Sequence, residues 1–144
     1  MKLQALFRTH IKNTPKGAIV INDGAILCVL TKTVIKAVHL DMEKVHITTR
    51  VIKHMYDKRT AEEFDVLLRS VYQIVRYPDE IYQNRNGKRG DLGFVKKINE
   101  AKYFCSLEID GTIFCVATAF RIGKESYLQN FTLLWSWRGG TPPS

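Results

Sequence analysis

The stretch "TAEEFDVLLRSVYQIVRYPDEIY", residues 60–82, decides the fold class, because its hydrophobic period changes partway along. Phe64, Leu67, Leu68, Val71, Ile74 and Val75 recur at the three- and four-residue spacing of a helix with one buried face. Thr60 followed by Glu63 has the form of a capping box, in which the threonine oxygen accepts an orphan backbone N–H of the first turn. Pro78 stops the helix, since it has no N–H to donate and biases Tyr77 toward extended backbone. From Glu80 onward the pattern is β.

Downstream, "LGFVKKIN", "KYFCSLEIDGTIFCVATAF" and "FTLLWSW" read as an antiparallel meander. Asp110-Gly111, taken as a two-residue turn, pairs Ile109 with Thr112, Leu107 with Phe114, Cys105 with Val116 and Tyr103 with Thr118. Thr118 then ends the apolar face of its strand beside a tyrosine hydroxyl. Trp135 and Trp137 are expected in or near the core.

Upstream, Thr48 or Thr49 caps a short basic helix reaching about Lys58, with Val51 and Met55 four apart and His54 beside them. In residues 17–38, apolar runs flank Asn22-Asp23-Gly24, a hairpin signal, so two or three strands are expected there. Pro15 and Gly17 mark off the first residues as a loosely attached arm or a short edge strand. Strands, two helices and a meander make an α+β chain with helices on one side of a sheet. One subdivision is on offer: residues 1–43, a strand region of unassigned role, and a helix-and-sheet unit over 44–144 ending in a frayed "GGTPPS".

With 144 residues, 45% of them hydrophobic and 25% charged, the chain suits one globular domain with a real core. Its apolar runs are short, and Lys2, Arg8 and Lys12 precede no hydrophobic region, so neither an export signal nor a membrane segment is expected. Three cysteines, an odd count without CxxC spacing, suggest neither a disulfide framework nor zinc, and a reducing cytoplasm is the simplest home. A net charge of +8 favours polyanionic partners without identifying one.

His46 and His54 flank the start of the first helix, and histidine titrates near neutral pH, which suits proton transfer in both directions. "NRNGKRGDLGFVKK" sets Arg85, Lys88, Arg89, Lys96 and Lys97 around three glycines, a basic loop suited to phosphate that lacks the order of a P-loop. Lys96 and Lys97 point to opposite faces, so at most one enters a site. Thr118, Arg121, Lys124, Ser126 and Tyr127 add hydroxyls, positive charge and a ring able to stack on a base. Each also has an ordinary reading: a histidine at the core edge, a solvated hairpin tip, a threonine in a strand. The histidines show no metal-binding spacing, and an enzyme acting on RNA with these groups would use the 2′-hydroxyl as internal nucleophile.

In order, "VIKHMYDKR", "IVRYPDEIY", "GFVKKI", "YFCSLEI", "FCVATAF" and "YLQNFTLLWS" resemble the phage-associated branch of the barnase–EndoU–colicin–RelE-like (BECR fold) nucleases. The resemblance covers about residues 44–143 and is carried by the set, since no single piece is specific. It implies two helices on a four-stranded antiparallel sheet, here preceded by the N-terminal β-hairpin region. It also implies a metal-independent endoribonuclease without cofactor, a toxin or host-takeover factor acting on cellular RNA, often tRNA. Catalytic candidates carried over are His54, Lys96 and Thr118. Arg121, Tyr127, Ser126, Lys124, Arg89, Lys88 and His46 are candidates for substrate contact. Where the pattern is expected to read Lys/Arg-His after His-Met-Tyr-Asp, this chain has Lys58-Arg59, and His46 is the candidate replacement. The alternatives are an inactive nucleic-acid-binding domain on the same fold, or a surface that docks an acidic antitoxin or immunity protein.

Overall fold

The computed structural model describes residues 2–83 and 91–137. In chain order the elements are α1 (Lys2–His10), β1 (Gly24–Val29), α2 (Lys32–Ala37), β2 (Lys44–Thr48), α3 (Thr49–Lys58) and α4 (Ala61–Arg76). There follow β3 (Glu80–Gln83), β4 (Leu92–Ile98), β5 (Ala101–Asp110), β6 (Ile113–Arg121), a 3-10 turn (Glu125–Leu128) and β7 (Thr132–Ser136). The strands form one sheet in the order β1-β2-β6-β5-β4-β3-β7, antiparallel except where β2 runs parallel to β6. The α+β class holds, but among the described residues the sheet has seven strands rather than four and carries four helices rather than two.

α4 forms as its sequence dictates. Thr60 Oγ1 accepts the Glu63 N–H at 3.2 Å, and all six apolar positions of the stripe are buried. At about 1.5–3 kcal/mol for each large apolar side chain buried, this helix contributes a major share of the core. α3 is capped by Thr48 rather than Thr49, whose hydroxyl instead donates to the Ile21 carbonyl and accepts the Asp23 N–H.

The N-terminal 43 residues differ from their expected form. α1 is neither an arm nor an edge strand: Leu3 and Leu6 are buried, as is Ile11 just beyond it, and Phe7 packs against Tyr56 of α3 and Phe64 of α4 at 5.4 and 5.2 Å between ring centres. The loop behind it is pinned by the buried Lys53, whose ammonium donates to the Pro15 carbonyl and to Asp57, while Asp57 also accepts the Gly17 N–H. No hairpin forms at Asp23-Gly24. Thr49 ties Asp23 to the start of α3, β1 passes through α2 before meeting its antiparallel partner β2, and residues 17–23 form no strand. Thr33, Val34 and Ile35, expected as strand, lie in α2, which Thr31 caps.

The β5–β6 register also differs. Asp110 faces Ile113 and Leu107 faces Val116, then Ser106 faces Thr118 and Tyr103 faces Arg121, so the strands close one step later than expected and Ala117 is an extra, bulged residue. The bulge turns Thr118 off the apolar row: Ala119, fully buried, continues Phe114 and Val116 into the helix-side core. α1, α3 and α4 cover that face. On the other face, residues 122–131 cross from β6 toward β7 and set Tyr127 and Phe131 against Phe104 at 5.6 and 5.8 Å. Gly93 lies under the Phe104 ring, so close that a Cβ there would stand 2.3 Å from it. Trp135 packs against the core, but Trp137 is 54% exposed, against expectation. Cys28, Cys105 and Cys115 are free and buried, and burial pushes the Cys28 thiol up to about 11.

Candidate functional site

β2 pairs with β6 at Val45–Phe114 and His46–Cys115, so among the described residues the paired register along this edge of β6 ends at Cys115. The α3–α4 junction seals that edge with side chains. Arg59 donates from Nε to the Ala119 carbonyl at 3.0 Å and from Nη2 to Thr118 Oγ1 at 3.1 Å. Glu63, which leaves the reciprocal half of its capping box unmade, accepts the Arg121 N–H at 3.0 Å and lies 3.6 Å from Arg59 Nε. An acceptor and a donor two residues apart on one strand edge thus meet a donor and an acceptor four residues apart across the α3–α4 junction. Burial pulls Arg59 below its ordinary pKa and the Glu63 charge raises it back in part. The guanidinium also sits over Phe120, 5.6 Å from the ring centre.

His54 is half-buried on α3 between the buried Lys53 and Met55. It precedes Arg59 by five residues, about 7.5 Å of helix rise. Thr118 does not lie beside the Tyr103 hydroxyl as expected; the bulge sets it opposite Ser106.

Lys96 is placed elsewhere. It faces Tyr103, which in turn faces Arg121, so Lys96 stands two strand spacings of about 4.8 Å from β6 and level with that strand's last residue. Its ammonium donates to the Tyr77 carbonyl at 2.7 Å and lies 3.6 Å from Asp79 Oδ1. It borders a cavity of about 380 Å³ between α2, the end of α4 and β7, whose lining includes Thr31, Arg76, Tyr77, Trp135 and Trp137. Lys97 points the opposite way, to solvent and Glu100, as alternation requires.

The remaining candidates are dispersed. Lys124 and Ser126 are exposed on and beside the 3-10 turn, and Tyr127 spends part of its ring on Phe104 and Phe120. His46 faces Cys115 near the start of β6, beside a second cavity bounded by Met42, Lys44 and Thr112, at the opposite end of the strand from Thr118. Lys88 and Arg89, with Arg85, lie outside the described residues. Arg59 and Arg76 went unmarked in the sequence; Arg59 occupies the departure after His-Met-Tyr-Asp, which was the available signal. Among the described residues no three His, Cys, Asp or Glu side chains are placed to hold a metal ion, and no helix is long and apolar enough to cross a membrane.

The profile of the phage-Barnase-EndoU-ColicinE5/D-RelE like nuclease 3 family matches residues 12–129. The chain belongs to that family. The match takes in β1, α2 and β2, upstream of the motifs that carried the resemblance, and it stops short of β7. No curated protein and no solved structure matches significantly. Membership of a nuclease family makes nucleic acid the substrate class of this basic chain.

Proposed function

We propose that the protein is a metal-independent endoribonuclease cleaving cellular RNA, with tRNA among its candidate targets. The ribose 2′-oxygen attacks the adjacent phosphorus, the bond from phosphorus to the 5′-oxygen breaks, and the products carry a 2′,3′-cyclic phosphate and a 5′-hydroxyl. His54 takes the 2′-hydroxyl proton, and the departing 5′-oxygen takes one from solvent. A histidine suits this because its pKa lies close to working pH. Thr118 and the remaining N–H groups of Arg59 hold the non-bridging oxygens as charge builds on the phosphorane, and Arg121 adds charge at the strand end. Lys96 grips a neighbouring part of the strand, two strand spacings away.

The observation that carries this reading is the nuclease-family match over residues 12–129. The guanidinium fork held on a threonine hydroxyl supports the roles given to Arg59 and Thr118, while His54, five residues earlier and about 140° round α3, is assigned by the family resemblance. One observation favours the alternative of an inactive binding domain. Thr118, Arg59 and Lys96 already have internal partners, so each would have to exchange them for substrate.

Incubating the protein with total cellular RNA in EDTA, beside His54→Ala and Lys96→Ala, separates the two. Discrete fragments with cyclic phosphate ends, lost in both variants and absent when the attacking ribose is 2′-deoxy, are expected. Intact RNA with a folded protein would leave the binding reading, and cleavage stopped by EDTA would remove metal independence.

A further inference from the structure

We propose that the cavity beside Lys96 is a single-nucleotide subsite, taking one unpaired nucleotide of an RNA strand with its base against indole and its phosphate on Arg76. The inference rests on the ribonuclease reading only for the identity of the polymer.

Four observations lead to it. The cavity, about 380 Å³, falls at the lower end of the range of small-ligand pockets, about 300–1,000 Å³. Tyr77 and Trp137 both border it and are 51% and 54% exposed, two aromatic side chains with accessible surface at one place. Base–aromatic stacking is the sequence-tolerant way proteins hold single-stranded nucleic acid, and it needs such surfaces. Finally, the charges of the lining leave one positive charge over. Lys96 is balanced by Asp79 at 3.6 Å, whereas Arg76 pairs with no carboxylate among the described residues. That residual charge matches one phosphodiester.

Arg76 is also held in place for this task. Its Nη1 donates to the Val29 carbonyl, its guanidinium sits 5.5 Å from the Tyr77 ring centre, and the Tyr77 side chain keeps it above its ordinary pKa, hence charged at any working pH. Thr31 Oγ1 accepts the Val34 N–H and keeps its own hydroxyl proton to donate into the cavity. A base inside a duplex stays stacked on its neighbours, so the subsite selects single strands, loops or splayed ends.

The chain has two tryptophans and both line this cavity, so intrinsic emission reads the site directly. The full chain is titrated with adenosine 5′-monophosphate, with a short single-stranded RNA, with that RNA as a duplex, and with inorganic phosphate. Saturable quenching by the mononucleotide and the single strand, absent with phosphate and weak with the duplex, is expected. Trp137→Ala, an exposed position that should fold normally, is expected to weaken single-strand binding about five- to a hundred-fold in a gel-shift assay. Quenching by phosphate alone, or single strands bound with unchanged emission and equal affinity in Trp137→Ala, would overturn the subsite. Cleavage is scored separately: intact RNA with saturable quenching removes the ribonuclease reading and leaves the subsite, and cleavage with unresponsive tryptophans does the reverse.

Discussion

Arg59 and Arg76 stand at matching places, the C-terminal ends of α3 and α4, each with its guanidinium over an aromatic ring at 5.6 and 5.5 Å. In the free protein they are engaged differently. Arg59 faces the edge of β6 beyond its paired register with β2 and is engaged by it, balanced by Glu63 and mostly buried. Arg76 faces a cavity, is held by the Val29 carbonyl and the Tyr77 side chain, and keeps its charge for an incoming group. In the free protein an arginine at a helix end, the C-cap of α3 in one case and the last residue of α4 in the other, is engaged by the fold or left with its charge over according to whether a neighbouring strand edge needs a donor.

On the proposed reading chemistry belongs to the β6 end and strand capture to the α2–β7 cavity, and the largest effect that breaks it is at His54. His54→Ala should lower the cleavage rate ~10²–10⁴-fold, the usual contribution of a positioned acid or base, while RNA affinity stays within a few-fold. Single-turnover cleavage beside a gel-shift measurement checks both halves. A variant that cuts at the parental rate would move the chemistry away from α3.

Arg59 gives the next largest effect, and it falls on stability. Arg59→Ala strips hydrogen bonds from the Ala119 carbonyl and Thr118 and leaves Glu63, whose side chain is 14% exposed, without its counter-charge. Orphaning partly buried polar groups costs about 1–3 kcal/mol, so an unfolding free energy lowered by about 2 kcal/mol in urea denaturation is expected. Arg59→Lys should recover only part of this, because an ammonium cannot reproduce the fork that serves both acceptors. An Arg59→Ala protein as stable as the parent would mean that the edge of β6 is satisfied by water.

How much of this was legible depends on whether a signal was local. The α4 stripe was readable to the residue, because a 3.6-residue period with a threonine cap is set within one element. The Asp23-Gly24 hairpin was not, because Thr49 captures Asp23 and the partner of β1 comes only after α2. Leu3, Leu6 and Phe7 carried a helical spacing that the punctuation at Pro15 and Gly17 obscured. In the site, alternation foresaw that Lys96 and Lys97 take opposite faces, but the bulge at Ala117, which alternation cannot register, moved Thr118 to the other side of its strand. Arginines closing helices are usually solvated, so nothing marked Arg76, and only the departure after His-Met-Tyr-Asp marked Arg59, until the strand edge and the cavity were in view.

A smaller effect sharpens the structural half. Thr60→Ala removes the acceptor for the Glu63 N–H, a capping loss of about 1 kcal/mol, and frees the first turn of α4, on which Glu63 reaches Arg121. Thermal denaturation should show the loss. If Arg59 and Glu63 act as one clasp, the double variant Thr60→Ala/Arg59→Ala should lose less than the two single losses combined, since both changes slacken the same junction.

The smallest effect tests the binding half, and it lies in a slope. Each phosphate neutralised on a single strand contributes about −0.7 to the dependence of log affinity on log salt concentration, because one condensed counterion is released. Arg76→Ala should therefore flatten the salt slope of single-strand binding by about 0.7 while leaving the unfolding midpoint close to the parent. Arg59→Ala should change the slope by much less in the inactive His54→Ala background, since Glu63 already balances that charge. Equal flattening by both substitutions would show that the clasp opens on substrate and releases Arg59 to the phosphate, so the two arginines would differ in the free protein and act alike in the complex. That result would also answer the objection that Thr118 and Arg59 are engaged, because the internal hydrogen bonds would then be what substrate displaces on entering the site.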